Sequence, residues 1–280
     1  MVIKVKSAIL IKMKTMNNTS KPGYLEHCYG ANYNILDDKF LNSHLANLSK
    51  EKTKQPLIND LVSKLYEFLI KEVITQEFPS KHETVRTRMA DGDARGFWKG
   101  EIIETETPAV VVDIARAGTL PGELCFRVLN QTLNPDLVRQ DHLYMARKTN
   151  EAGQVVGVSW TGSKIGGSID KAIVLIPDPM GATGSSISKA VSYYKQEIEG
   201  QATKFISLNL IVTPEFIKRM KTDHPELIVY ALRVDRGASS PSALASIPGT
   251  LWDEESGLTD NQYIIPGAGG LGELMNNSYC

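Results

Sequence analysis

Four solid apolar runs are the feature that most constrains the fold of this chain. They are AVVVDIA (109–115), KAIVLIPD (171–178), KFISLNLIVT (204–213) and LIVYALRVD (227–235). Continuous aliphatic and β-branched runs are typical of strands that are buried on both faces of a sheet. Segments with helical periodicity separate them, at 118–133, 184–200 and 214–225. The alternation predicts an α/β fold in which helices cover both faces of a mostly parallel sheet.

The segments around these runs have weaker patterns. Residues 1–50 show little periodicity, which predicts a partly irregular N-terminal arm, and residues 51–280 form the α/β domain. From Leu57 to Val73 the apolar residues recur every four positions, which indicates a long helix. Further strands are predicted at 142–148 and 155–160, and turns or a loose hairpin at 79–107. The turn-rich segment after 235 predicts a loop-rich C-terminal cap.

Charge and cysteine content exclude several classes of protein. The net charge of the 280 residues is -1, so no global field would attract nucleic acid or an anionic membrane. The three cysteines are far apart and form no CxxC pair, which argues against a disulfide framework or a zinc site. No run approaches the roughly 20 apolar residues of a membrane span. We therefore expect a cytoplasmic protein whose partners are small molecules held by local charges.

Polar residues follow the ends of the predicted strands. Arg116 follows AVVVDIA, Arg147 follows LYMA, Asp178 to Ser186 follow KAIVLI, and Asp235 with Arg236 follows LIVYALRV. In open parallel sheets, ligands bind beyond the carboxyl ends of the strands. We therefore expect basic groups, an acid and a loop of small residues to meet at one edge of the sheet.

The loop of small residues carries the strongest chemical signal. Residues 182–186 (ATGSS) lead directly into a helix, where backbone N–H groups, the helix N-terminus and hydroxyl groups suit a phosphate. A plain turn is the alternative interpretation, since the loop has neither the lysine of a Walker motif nor a GxGxxG spacing. Asp178 adds a carboxylate suited to paired sugar hydroxyls. Together they suggest a ribose 5-phosphate.

Arg116 and Arg147 have two interpretations. Each is either a solvated residue paired with a nearby carboxylate or a ligand for a second anion, for which guanidinium groups are well suited. A diphosphate on the far side of the ribose would supply that anion. The compound with both groups is 5-phosphoribosyl 1-diphosphate (PRPP).

Several segments resemble one known family. DPMGATGSS (178–186) resembles the PRPP motif of uracil phosphoribosyltransferases, which usually reads DPMLATGGS. IARAG (114–118) is similar to the family's ILRAG, and YIIPGAGGLG (263–272) to its YIVPGLGDAG. HPELIVYALRVDRG (224–237) also matches, and LYMARK matches GLYRDE loosely. The segments occur in the order found in the family.

The resemblance implies a type I phosphoribosyltransferase fold and phosphoribosyl transfer from PRPP to a nucleobase. Uracil is the expected base, giving UMP and diphosphate in pyrimidine salvage. It also implies Mg²⁺ on the diphosphate of PRPP, GTP as an allosteric activator, and a homo-oligomer, either a dimer or a tetramer. It assigns no catalytic acid or base and no metal ligand of the protein. The implied PRPP-binding residues are Arg116, Arg147, Asp178, Pro179, Met180, Gly181, Ala182, Thr183, Gly184, Ser185 and Ser186. The implied base-binding residues are Ile264, Gly269, Gly270 and Leu271.

The chain also departs from the family pattern. GGLGEL (269–274) replaces GDAGDR, so Gly270 stands where the family has an Asp that contacts the diphosphate substrate. Gly181 replaces a Leu, Ser185 a Gly, and Lys148 an acid. The segment 238–262 is longer than usual, and its Asp253-Glu254-Glu255 is either a solvated charge run or a replacement for the lost acid. Two alternatives remain open, a non-catalytic PRPP- or nucleotide-binding homologue and a transferase for another acceptor.

Overall fold

The computed structural model describes residues 21–149 and 155–278, and between 146 and 158 it describes strands without their side chains. The strands are β1 (Tyr33–Ile35), β2 (Ser80–Arg86), β3 (Phe97–Ile103), β4 (Ala109–Ala115), β5 (Val138–Thr149), β6 (Val155–Lys164), β7 (Ile173–Pro177), β8 (Met180–Gly181), β9 (Lys204–Val212) and β10 (Ile228–Val234). The helices are α1 (Lys39–Leu48), α2 (Leu57–Glu77), α3 (Thr119–Thr132), α4 (Ser185–Glu197), α5 (Pro214–Asp223), α6 (Pro241–Leu244) and α7 (Leu271–Leu274). Short 3₁₀ turns occur at Arg88–Asp91, Pro135–Leu137 and Trp252–Glu254.

The main sheet is mostly parallel, as predicted. Its strand order is β1-β10-β9-β7-β4-β5-β6, and β8 pairs with β9. The pairs β1–β10, β10–β9, β9–β7, β7–β4 and β4–β5 are parallel, whereas β6 runs antiparallel to β5. The four apolar runs form β4, β7, β9 and β10 at the centre, so their carboxyl ends lie at one edge of the sheet.

Helices cover both faces of this sheet, which confirms the predicted layers. On one face, α1, α2 and α3 pack through residues such as Leu65, Leu69 and Leu129, all with 0% of their surface exposed. On the other face, α4 and α5 bury Tyr194 and Phe216 to the same extent. The sheet is thus shielded from water on both sides, which explains why its strands are apolar on both faces.

The N-terminal segment differs from the expected arm. Residues 1–20 lie outside the described residues, but β1 pairs with β10 from Tyr33 to Ile35. Asp38 caps α1 by accepting hydrogen bonds from the N–H groups of Phe40 and Leu41. Leu41, Leu45 and Leu48 are buried in the core. The domain therefore begins well before residue 51, because this segment supplies an edge strand and one of the covering helices.

The predicted hairpin forms a separate small sheet. Strands β2 and β3 are antiparallel and pair from Ser80–Ile103 to Arg86–Phe97. Val85, Phe97 and Trp98 remain between 42% and 46% exposed. The hairpin thus presents apolar side chains to solvent.

The long segment 238–262 is attached to the domain by a buried ion pair. Arg236 Nη1 lies 3.0 Å from Glu255 Oε1, and the Glu255 side chain is 0% exposed. Tyr29 donates a hydrogen bond of 2.7 Å to the other oxygen of Glu255. Trp252 packs edge-on against the Tyr29 ring, with a centroid distance of 5.0 Å. Glu255 therefore anchors the segment, and it is neither part of a solvated run nor a replacement for the acid missing at 270.

Candidate active site

The loop of small residues (182–186) follows β8 and leads into α4, and its carbonyl groups attach it to neighbouring elements. Thr213, at the start of α5, donates from Oγ1 to Ala182 O at 2.6 Å. Arg219 Nε donates to Thr183 O at 2.7 Å. The N–H of Thr213 donates to Gly181 O at 3.1 Å. Because the carbonyls face the protein body, the loop is held in one orientation.

The N–H groups of the same loop are available to a ligand. Among the described residues, no hydrogen bond is formed by the N–H groups of Thr183, Gly184, Ser186 or Ile187. Helix α4 also starts without a side-chain cap, since Gly184 stands at its N-cap position. Unpaired N–H groups at a helix N-terminus form a binding site for an anion. The phosphate site at residues 182–186 stays a prediction, and these N–H groups are the donors that it would use.

Gly184 in this loop and Gly181 just before it are glycines for different structural reasons. Gly184 has a φ of +75°, which side chains other than hydrogen disfavour. Gly181 is limited by space, because an added Cβ would lie 2.9 Å from Phe216 Cδ2 and 3.0 Å from Val212 Cγ1. Phe216 therefore fills the volume next to a position where the family usually has leucine.

Asp178 is positioned by a buried polar relay that the sequence analysis missed. Its Oδ1 accepts a hydrogen bond of 3.1 Å from the N–H of Met180. Its carbonyl accepts one of 2.6 Å from Asn209 Nδ2. Ser207 Oγ in turn donates to Asn209 Oδ1 at 2.8 Å, and both residues are 0% exposed. The signal available in the sequence was the pair of polar residues within the apolar run KFISLNLIVT.

The loop with Arg116 lies directly beside the end of β7. Arg116 follows β4, its side chain is exposed, and its Nη1 donates to Ser278 Oγ at 2.5 Å. A Cβ added at Gly118 would lie 2.9 Å from Pro177 O. Glycine thus permits a close approach of the two loops. The structure therefore brings the Arg116 loop and Asp178 to the same edge of the sheet.

Arg147 lies in β5, where its backbone pairs with that of Val158 in β6. Its side chain and that of Lys148 lie outside the described side chains. The assignment of Arg147 to the diphosphate stays a prediction.

The predicted base-binding segment is a loop held by the end of β10. Asp235 Oδ2 accepts a hydrogen bond of 2.7 Å from Gly267 N, and Arg233 Nη2 donates one of 3.0 Å to Gly267 O. Arg233 also contacts Asp235 through Nε at 2.6 Å. Ile264 lies against the core, while Gly269 has a φ of +77° and is exposed. The Arg233–Asp235 pair thus fixes the loop without being part of its surface.

The residues after this loop contact the Arg116 loop. Leu271 is 1% exposed, so its side chain belongs to the core and only its backbone is available to a base. A Cβ added at Gly272 would lie 3.4 Å from Ala117 Cβ. Gln55 Nε2 donates to Leu274 O at 3.0 Å, and Asn59 Nδ2 to Met275 O at 3.2 Å. The Arg116 loop therefore approaches the end of β7, just before Asp178, and also the turn that follows the predicted base loop.

A buried acid lies behind the Arg116 loop. Asp113 of β4 is 2% exposed, and its Oδ2 lies 2.8 Å from His142 Nδ1 of β5. Burial raises the pKa of the Asp113 carboxyl, and the hydrogen bond with His142 opposes this shift. A Cβ added at Gly122 of α3 would lie 3.2 Å from Asp113 Cβ, so the pair lies beneath the first turn of α3. The Asp113–His142 pair therefore supports the Arg116 loop from behind.

The sheet and the loops at its edge define a phosphoribosyltransferase with the type I fold. The family model described as "Uracil phosphoribosyltransferase" matches residues 35–276, and the chain belongs to this family.

Curated relatives agree with this membership, and one solved structure shares the fold. The chain is 27% identical over 241 residues to the uracil phosphoribosyltransferase of Dictyoglomus turgidum, which covers 86% of this chain and 97% of that protein. It is 26% identical over 179 residues to that of Mycoplasma genitalium, over 64% of this chain and 71% of the relative. The solved structure of the AQ2163 protein from Aquifex aeolicus has the same fold, with a TM-score of 0.63 and 21% identity over 87% of this chain and 97% of that one.

Within residues 21–149 and 155–278, no helix combines the length and apolar character that crossing a membrane requires.

Proposed function

We propose that this protein transfers the phosphoribosyl group of PRPP to uracil, giving UMP and diphosphate in pyrimidine salvage. The observation that carries the proposal is the set of unpaired N–H groups at residues 183, 184, 186 and 187 beside Asp178. A phosphate with two sugar hydroxyls nearby satisfies both features. Membership of the uracil phosphoribosyltransferase family supports uracil as the acceptor.

The reaction exchanges one bond at C1 of the ribose for another. The bond from C1 to the diphosphate oxygen breaks, and its electron pair leaves with the diphosphate. A ring nitrogen of uracil forms the new bond to C1, and its proton passes to the solvent. Positive charge develops on the ribose during the exchange, so the protein acts by alignment and charge stabilisation.

Each part of the site has a role in that alignment. The loop 182–186 binds the 5-phosphate, and Asp178 accepts hydrogen bonds from the ribose hydroxyls. Arg116, together with Arg147, binds the leaving diphosphate. The backbone between Ile264 and Leu271 lines the base, where N–H groups near exposed Gly269 meet the oxygens of uracil.

Mg²⁺ fits the donor groups at this edge of the sheet. Carboxylate oxygens are the available protein ligands, and Mg²⁺ is usually held by one or two carboxylates, substrate phosphates and water. In the described residues, no three His, Cys, Asp or Glu side chains are grouped as a metal site of their own. When bound, Mg²⁺ neutralises part of the charge of the diphosphate.

The test is incubation of the purified chain with PRPP, Mg²⁺ and one labelled base at a time: uracil, cytosine, adenine or hypoxanthine. If uracil is the only one of the four bases that is converted, giving UMP and diphosphate, the proposal is supported. Formation of a nucleotide from another base refutes uracil specificity. An Asp136→Asn variant, altered at an exposed acid far from the loops in sequence, should show the same activity as the wild type and serves as the control for variants of the site.

One observation favours a second candidate function. Gly270 carries no side chain where the family pattern has an acid, which fits a non-catalytic PRPP- or nucleotide-binding homologue. A transferase for a different acceptor is the third candidate, and the long segment 238–262 favours it. Binding of PRPP in a calorimeter without turnover of any base would support the binding protein over both transferases.

We also propose a cytoplasmic homo-oligomer that GTP activates. The exposed apolar side chains of Val85, Phe97 and Trp98 on the β2–β3 hairpin support self-association. Light scattering on the wild type and on Trp98→Glu tests this, and an unchanged monomeric mass in both refutes it. Comparison of the initial rate with and without GTP tests the activation.

A further inference from the structure

Gly257, near the end of the long segment 238–262, contacts the residues that hold both predicted loops. A Cβ added at Gly257 would lie 2.1 Å from Asp235 O and 3.1 Å from Thr213 Cβ. The nearer contact is with backbone, so a side chain at this position would push the two stretches of chain apart. Asp235 holds the predicted base loop, and Thr213 holds the phosphate loop (182–186) by one of its carbonyls. The segment therefore packs against the residues that fix these two loops.

Helix α5 is attached to the same part of the segment. Glu215, in its first turn, accepts hydrogen bonds from Ser256 Oγ at 2.5 Å and from Gly257 N at 3.0 and 3.1 Å. Lys218, one turn further along, donates from Nζ to Glu255 O at 3.2 Å. The Glu255 side chain is itself fully buried. Two residues of α5 thus bind a stretch of the segment that is anchored in the core.

Other residues of α5 hold the phosphate loop and the helix that follows it. Thr213, at the N-cap of α5, and Arg219 donate to two of the loop carbonyls. Near the end of α5, Asp223 Oδ2 accepts from Ser188 Oγ at 2.7 Å, and His224 Nε2 lies 2.8 Å from Ser188 O. Ser188 belongs to the first turn of α4, whose N-terminus the phosphate would approach. Helix α5 therefore lies between the long segment and the phosphate loop.

This arrangement determines where the N–H groups of the loop point. These donors lie on the backbone, so their positions depend on how the loop is held, and a binding geometry is lost when its groups shift by about 0.5 Å. Helix α5 moves as a unit, because Phe216, Ile217 and Met220 are all buried in the core. When its contacts with residues 255–257 are lost, α5 can shift together with the loop carbonyls that it binds.

We propose that residues 255–257 of the long segment, through their contacts with Glu215 and Lys218, position the phosphate loop and set the affinity of this chain for the 5-phosphate end of PRPP. The inference rests on the proposed function, because it requires a phosphoribosyl ligand in the loop. It gives the long segment a role in substrate binding that it exerts through α5.

The first test is calorimetric titration of the full chain with ribose 5-phosphate. Glu215→Ala removes the acceptor for Ser256 and Gly257, and should weaken binding about three- to tenfold, the usual size of coupling through a packed element. Glu215→Gln keeps an acceptor oxygen at the same place and should restore most of the affinity. Unchanged affinity in Glu215→Ala would overturn the proposal.

A matched control separates positioning from general loss of stability. Glu77 also accepts several hydrogen bonds, from Tyr230 Oη at 2.7 Å and from Lys204 Nζ at 2.8 Å. Lys204 begins β9, so Glu77 lies at the opposite edge of the sheet from the phosphate loop. Glu77→Ala should therefore lower the thermal unfolding temperature without changing the affinity for ribose 5-phosphate. If it weakens binding as much as Glu215→Ala does, the positioning role is refuted.

The second test asks whether the effect passes through α5. Arg219→Met releases the carbonyl of Thr183 from α5, so Glu215→Ala should weaken ribose 5-phosphate binding by a smaller factor in this background than in the wild type. Lys218→Met, which removes the donor to Glu255 O, should weaken binding in the same direction as Glu215→Ala. Simple additivity of Glu215→Ala and Arg219→Met would contradict the route through α5.

The outcomes separate this inference from the proposed function. If the wild type makes UMP and Glu215→Ala binds ribose 5-phosphate as the wild type does, the inference is wrong and the function stands. If binding depends on Glu215 as predicted but no base is converted, the inference stands and the transferase activity is refuted. If the wild type binds neither ribose 5-phosphate nor PRPP, both are refuted.

Discussion

Replacement of Asp178 by asparagine is the most direct test of the ribose site. The substitution preserves the local structure, because the side-chain oxygen of asparagine still accepts the hydrogen bond from Met180 N. The backbone contact with Asn209 also remains, since it involves the carbonyl of residue 178. What changes is the negative charge and one of the two acceptor oxygens.

The size of the effect follows from the hydrogen bonds at stake. A hydrogen bond to a charged group contributes about 1.5–3 kcal/mol, and one between neutral groups about 0.5–1.5 kcal/mol. With two ribose hydroxyls, the loss of charge costs about 2 kcal/mol. At about 1.4 kcal/mol for each factor of ten, affinity falls by about 10- to 30-fold.

The assay is calorimetry with two ligands, PRPP and ribose 5-phosphate. Both carry the hydroxyls that Asp178 is proposed to bind, so Asp178→Asn should weaken both by the same factor. Thermal unfolding should be unchanged, and Asp136→Asn should leave both affinities at the wild-type level. Unchanged affinity for ribose 5-phosphate in Asp178→Asn would refute the ribose role, even if PRPP binding fell.

Three further predictions concern the support of the site. Glu255→Ala leaves the Arg236 guanidinium buried without its carboxylate, and should lower the free energy of unfolding in urea by about 3–5 kcal/mol; a loss near zero would contradict the buried pair. Gly184→Ala places a Cβ at a φ of +75° and 2.8 Å from Met220 Cε, and should destabilise the fold by about 1–2 kcal/mol and weaken PRPP binding. Burial raises the pKa of Asp113, so the native state binds this proton more tightly than the unfolded chain, and stability falls as pH rises from the usual aspartate pKa through the raised one. Asp113→Asn should flatten this decline in thermal melts from acidic to neutral buffer, and an identical pH profile in both proteins would exclude Asp113 as its source.

The sequence predicted the centre of the fold well because the evidence for it is local. A strand buried on both faces must be apolar throughout, so β4, β7, β9 and β10 could be recognised from composition alone. Strand β1 could not, because its three residues are stabilised by pairing with Ile228–Val234, far along the chain. Helix α1 was missed for a related reason. Its few leucines can be recognised as core residues only once the rest of the core that buries them is known.

In the candidate site, too, the features with local sequence evidence were predicted and those that depend on distant residues were not. The loop 182–186 was predicted because its small residues and its place before a helix are visible together. The relay from Ser207 through Asn209 to Asp178 was not, since it joins a strand to the loop after another strand. In the acidic run 253–255, Asp253 and Glu254 are exposed, as a solvated run predicts. Glu255 was misread, because its burial depends on Arg236 and Tyr29.

The chemistry proposed for the loops is compatible with the low identity of this chain to members of its family, 27% for one relative. Most of the proposed contacts to substrate come from backbone N–H groups, whose positions depend on tight packing rather than on particular side chains. Thr213 and Arg219 hold the phosphate loop by donating to its carbonyls, whereas Asp235 holds the base loop by accepting a hydrogen bond from the N–H of Gly267.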